Sequence, residues 1–145
     1  MPNTLKMMRA CPEVAFVLDH IGKPGIKMGL LDPWRQHVRE MAALRNVVCK
    51  LSGITTEADH KSWNRDQLRP SIDHVIECFG PDRILYGGDW PVSELAGSYL
   101  QWLATLDWAT AGFSPPTSAS CSATTRSGRT GSKSNGRRGP ATQGL

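Results

Sequence analysis

Arg83-Ile84-Leu85-Tyr86-Gly87-Gly88-Asp89-Trp90-Pro91-Val92 is the stretch on which the fold turns. Ile84, Leu85 and Tyr86 form a short run of strand-favouring residues, and Gly87-Gly88 lets the backbone pass close to a neighbour. Asp89 then stands at the strand's carboxyl end. Pro91 has no amide hydrogen and steers Trp90 away from helical conformation, so the strand stops there. In a parallel α/β protein that edge is where ligands bind. An Asp in this place can equally open a turn or cap the next helix, and the strand-turn pattern leaves both roles open.

Upstream, the same design recurs. Val14-Ala15-Phe16-Val17-Leu18 is a continuous apolar run of the kind expected of a strand buried on both faces. It runs into Asp19-His20-Ile21-Gly22-Lys23-Pro24-Gly25, polar side chains followed by turn chemistry, which puts His20 at the same ligand edge as Asp89. Val47 to Ile54 is a further strand. Between these runs the spacing predicts helices. One is opened by Asp32 as cap with Pro33 at its first position, carries Trp34, Val38, Met41, Ala42 and Leu44 on its apolar stripe, and closes near Asn46. Another runs from Asn64 or Asp66 to Phe79, interrupted at Pro70. A last one opens at Ser93 or Glu94 and passes through Tyr99, Trp102, Leu103 and Leu106. Thr4 to Ala10 reads as helical turns ended by Cys11-Pro12. Strand-helix alternation at this spacing predicts a parallel sheet with crossover helices, an α/β fold.

The chain has 145 residues, room for one domain but short of the ~250 of a complete α/β barrel. No apolar run reaches the ~20 residues of a membrane span, and the first residues lack a secretory pattern, so the expected setting is cytoplasmic, with no membrane partner. The net charge of +4 suggests an anionic partner until its distribution is considered. Five of the 17 basic residues (Arg126, Arg129, Lys133, Arg137, Arg138) follow Ser114, and no acid lies beyond Asp107. The preceding part therefore holds the other 12 against all 13 acids. Residues 114–145 have no aromatic residue and one Leu among many Ser, Thr, Gly, Pro and Arg. Such a composition buries too little apolar surface to offset the entropy of ordering, so residues 1–113 are expected to form the domain and 114–145 a disordered basic tail. Cys11, Cys49, Cys78 and Cys121 are scattered with no metal-binding spacing, and the first three are expected to be small buried hydrophobes.

Three motifs in order, Val17-Leu18-Asp19-His20-Ile21-Gly22-Lys23-Pro24, Val48-Cys49-Lys50-Leu51-Ser52-Gly53 and Leu85-Tyr86-Gly87-Gly88-Asp89-Trp90-Pro91-Val92, resemble the amidohydrolase-related family, nearest to its sugar-lactonase branch. The resemblance implies an incomplete (β/α)8 barrel comprising about its last three strand-helix units, and a hydrolase acting on a lactone or similar carbohydrate-derived cyclic ester. It implies that Asp89 takes a proton from the attacking water and touches the metal where there is one. His20 would be a metal ligand or a polariser of the substrate carbonyl, and Lys23, Lys50, Ser52 and Trp90 would line or floor the substrate cavity. Full-length relatives of this type can carry a divalent metal such as zinc. Here one His and one Asp leave the site incomplete, because zinc usually takes three protein ligands. His37, His60 and His74 fall on a helix, a loop and a helix, and are expected at the surface.

The resemblance thus implies the back portion of an enzyme, inactive by itself, and the abrupt change of composition after Phe113 suggests translation in a shifted frame. Two rival readings remain. One is a non-catalytic α/β module, and the other is a module whose basic tail binds nucleic acid or an anionic surface, which rests on charge alone. Unpaired sheet edges, with Val17, Leu51 or Leu85 meeting water, further predict self-association.

Overall fold

The computed structural model describes residues 1–112. Four helices alternate with three strands: α1 (Pro2–Ala10), β1 (Phe16–Leu18), α2 (Trp34–Ala42), β2 (Val47–Leu51), α3 (Arg65–Phe79), β3 (Ile84–Tyr86) and α4 (Tyr99–Thr110). The strands form one sheet in the order β1-β2-β3. Both pairings are parallel, with Val17 opposite Val48 and Lys50 opposite Leu85. Among the described residues, no helix is long and apolar enough to cross a membrane.

The register sorts the side chains by face, since alternate residues of a strand point to opposite sides. Leu18, Val47, Cys49 and Leu51 are buried in the helix-covered core with Val38, Met41, Leu68, Ile72, Val75 and Phe79. Val17, Lys50 and Leu85 take the other face, where Val17 and Leu85 are exposed. Leu51 is therefore not one of the residues meeting water: two positions beyond Cys49, it lies on the helix side at 2% exposure. Arg83 fixes the entry to β3, its guanidinium donating to the carbonyls of Phe79 and Leu44. Trp108 of α4 packs under Arg69 of α3 with the cation 5.0 Å from the ring centroid, and Arg69 itself forks onto Asp73 one turn along.

Several boundaries differ from the sequence expectation for local physical reasons. β1 starts at Phe16, because the Asn46 side chain takes the Val14 carbonyl while its backbone carbonyl accepts from Phe16. Asn46 thus ties β1 to β2 instead of closing α2, which ends at Ala42. Asp32 makes no capping bond, and α2 begins at Trp34 with Pro33 in the cap position. β2 stops at Leu51; Ile54 is buried in the loop beyond it. α3 runs unbroken through Pro70 behind a reciprocal Asn64–Gln67 cap. Close to a helix start, a proline removes only one internal hydrogen bond, which packing on the sheet outweighs. The segment Val92–Leu95 is one 3-10 turn, and α4 starts six residues later than expected from Ser93, capped by Ser98. Gly97, at φ +138°, separates the two.

His74 is also not at the surface. It is 8% exposed, its Nε2–H donates to the Arg35 carbonyl at 2.9 Å, and its ring leans on Trp34 with centroids 5.4 Å apart. Its helical spacing put it on the same side as Val75 and the core, and the imidazole found both an aromatic partner and a carbonyl there. The expectations for the basic tail, its disorder and Cys121 lie outside the described residues.

Candidate active site

β1 and β3 flank β2, and all three deliver their carboxyl ends to one rim. There His20, two residues past β1, and Asp89, three past β3, come together: His20 Nε2 lies 3.7 Å from Asp89 Oδ1. Both side chains are mostly covered, at 25% and 11% exposure.

The backbone that carries His20 is unusual. His20, Ile21, Gly22 and Lys23 have φ values of 48, 46, 71 and 53°, a continuous left-handed turn of which three members have a Cβ. Such residues each cost ~1–2 kcal/mol over right-handed geometry. The turn is held by burial of the Ile21 side chain at 0% exposure and by the Trp34 indole, which donates to the Ile21 carbonyl at 2.7 Å. The Lys23 amide closes it onto the His20 carbonyl. Strained backbone persists where surrounding packing over-determines it, and it clusters at functional sites. Asp89 also has positive φ, 54°. Its carbonyl accepts from the Ser93 amide at 2.8 Å, and the preceding Gly87 carbonyl accepts from the indole of Trp102 on α4 at 2.9 Å.

The remaining expected residues divide. Lys50 reaches the rim from β2 and binds Asp19 at 2.6 Å, and Asp19 lies 3.3 Å from His20 Nε2 through its other oxygen. The Lys50 contact, with His20 adding to it, holds the Asp19 carboxyl below the ordinary carboxylate range. Lys23 pairs with Glu57 at 2.6 Å, which raises its ammonium pKa. Trp90 stands 72% exposed beside Asp89. Ser52, expected to line or floor the cavity, lies below the rim. It is fully buried, and its Oγ sits 2.9 Å from His20 Nδ1, behind the ring.

Two features here were not singled out by sequence reasoning. Asp19 is one; its place beside His20 at a strand end was a readable signal, but its partner Lys50 depends on strand register. Gly53 is the other, with φ +61°, where an added Cβ would lie 2.7 Å from His20 Nδ1. A glycine after a strand is too common to announce that by itself.

L-fucono-1,5-lactonase of Burkholderia ambifaria is 41% identical over 109 residues, which are 74% of this chain and 37% of that protein. A crystal structure of an amidohydrolase from Burkholderia multivorans with bound Zn superposes with a TM-score of 0.74 at 35% identity, covering 77% of this chain and 42% of the other. A putative 2-pyrone-4,6-dicarboxylic acid hydrolase from Pseudomonas putida, at 23% identity and TM-score 0.59 over 72% of this chain and 40% of its own, shares the fold. The chain thus spans about two-fifths of the length of these relatives, and its three strands and their helices are part of an α/β barrel of the TIM type. A profile described as Amidohydrolase matches residues 3–122, and on this evidence the chain belongs to the amidohydrolase family.

Proposed function

We propose that the rim formed by His20 and Asp89 is the hydrolytic centre of an enzyme that opens a lactone of the sugar-acid type. The approach of these two side chains from the carboxyl ends of parallel strands carries the reading. The L-fucono-1,5-lactonase relative supports a six-membered cyclic ester as substrate.

The steps follow from the groups present. A carboxylate accepts hydrogen bonds and protons, so Asp89 takes a proton from a water as the water oxygen bonds to the lactone carbonyl carbon. Negative charge then builds on the carbonyl oxygen, where the His20 ring stabilises it as a fixed donor. The ester C–O bond breaks, and the proton held by Asp89 passes to the leaving alkoxide, giving the open hydroxy acid. Lys50 and Asp19 brace His20 from the solvent side. Lys23 and Trp90 border the site on its open flank, where they would meet the substrate's hydroxyl groups.

The zinc of the B. multivorans amidohydrolase raises the question whether these residues fit a metal. His20 Nε2 and the Asp89 carboxylate face each other, but the nearest third donor, Asp19, is engaged by Lys50. No group of three or more His, Cys, Asp or Glu placed to hold a metal occurs among the described residues. Zinc sites take three or four protein ligands. The described residues therefore do not fit zinc.

The resemblance implied a chain inactive by itself, but the His20–Asp89 pair is retained whole, so with its inner sheet face open the 145-residue chain should hydrolyse slowly rather than not at all. The test follows acid release from L-fucono-1,5-lactone in weak buffer. The wild-type chain should exceed spontaneous hydrolysis, and Asp89→Asn should return the rate to the spontaneous value. Equal rates for the two chains would overturn the assignment.

A further inference from the structure

We infer that Ser52 is a positioning residue that sets the tautomer of His20, donating its hydroxyl proton to Nδ1 so that the neutral ring carries its own proton on Nε2. For the role of that proton in catalysis, the inference rests on the hydrolytic reading above; the tautomer itself does not.

Ser52 is 0% exposed and its Oγ lies 2.9 Å from His20 Nδ1, the one hydrogen bond its side chain makes among the described residues. Were Nδ1–H the donor, the serine hydrogen would be buried without an acceptor, and an unsatisfied buried donor is costly. The reverse direction satisfies both groups. The opposite edge of the ring agrees independently: Nε2 faces Asp19 Oδ2 at 3.3 Å and Asp89 Oδ1 at 3.7 Å. Ionised carboxylates only accept, so this environment favours a hydrogen on Nε2. One partner is thus a donor toward Nδ1 and two are acceptors toward Nε2.

The backbone around the pair is shaped to hold it. An added Cβ at Gly53 would stand 2.7 Å from Nδ1, and one at Gly87 would stand 2.8 Å from the Ser52 Cβ. His20 itself is part of the left-handed turn, which fixes where its ring starts. The result is an imidazole presented at the rim as a hydrogen-bond donor, with no lone pair on Nε2 to offer.

Long-range proton–nitrogen NMR on 15N-histidine-labelled chain at mildly alkaline pH reads the tautomer directly. The wild-type His20 should show a pyridine-like Nδ1 and a pyrrole-like Nε2. Ser52→Ala, which removes the hydroxyl and little volume, should lose that preference and give averaged shifts. A wild-type ring protonated on Nδ1, or a pattern unchanged in Ser52→Ala, would overturn the inference whatever the chain does to lactones. In the hydrolysis assay, Ser52→Ala should lower kcat on the order of tenfold to a hundredfold with KM little altered, as expected for a misoriented catalytic group. A KM effect alone would count against positioning. If the tautomer is as inferred while Asp89→Asn leaves hydrolysis untouched, the hydrolytic reading fails and the Ser52–His20 assignment stands.

Discussion

Gly53 does for the site what no side chain there could do. Its φ of +61° is left-handed, and the space where a Cβ would go is filled by the His20 ring. Gly53→Ala should therefore act twice. It should lower stability by more than about 1 kcal/mol, since alanine is strained at positive φ, and it should push the imidazole off Ser52. Urea unfolding checks the first effect and the His20 nitrogen shifts check the second; a ring unmoved in the alanine variant would contradict the close approach. Cys49 shows the other side of residue-scale control. Burial pushes its thiol up to about 12, which leaves it protonated and inert in the core opposite Ile84.

At the scale of elements, the left-handed turn at 20–23 has its own support. Its three non-glycine residues are held by the buried Ile21 side chain and by one hydrogen bond from the first residue of α2, Trp34, to the Ile21 carbonyl. Trp34→Phe keeps most of the apolar bulk and removes the donor. It should cost about 1–3 kcal/mol by leaving a buried carbonyl unsatisfied, and it should loosen His20 without touching it. An unfolding midpoint identical to wild type would show that the turn is held by something else. Trp34 also packs against His74 of α3, which donates to the Arg35 carbonyl of α2, so α2 joins the core packing of α3 to the geometry of the rim.

At the scale of the whole molecule, the sheet has a covered face and an open one. β1 and β3 each pair on one side only among the described residues. Val17, Leu85, Trp90, Leu95 and Leu100 are exposed at 52, 44, 72, 66 and 72%, more apolar surface than a soluble monomer normally shows together with two free edges. The 145-residue chain should therefore self-associate. Its mass in sedimentation velocity should rise with concentration, and Leu85→Lys, a charge placed on the open face, should shift it back toward monomer. A monomer mass across the whole range would contradict this prediction.

The amino-acid sequence by itself determined the strand-helix order, the parallel sheet, and the arrival of His20 and Asp89 at its carboxyl rim. Each depends on local periodicity and on turn residues that follow directly in the chain. Only the tertiary structure decided which groups meet those two. Ser52 behind the ring, Lys50 on Asp19, and His74 on Trp34 join residues 31 to 40 positions apart. Their meeting depends on strand register and helix rotation, where a slip of one residue turns a side chain to the opposite face. The left-handed turn was hidden for a related reason: Ile21 takes a conformation its own side chain disfavours, and the core contacts that hold it come from α2, beyond the reach of any local pattern.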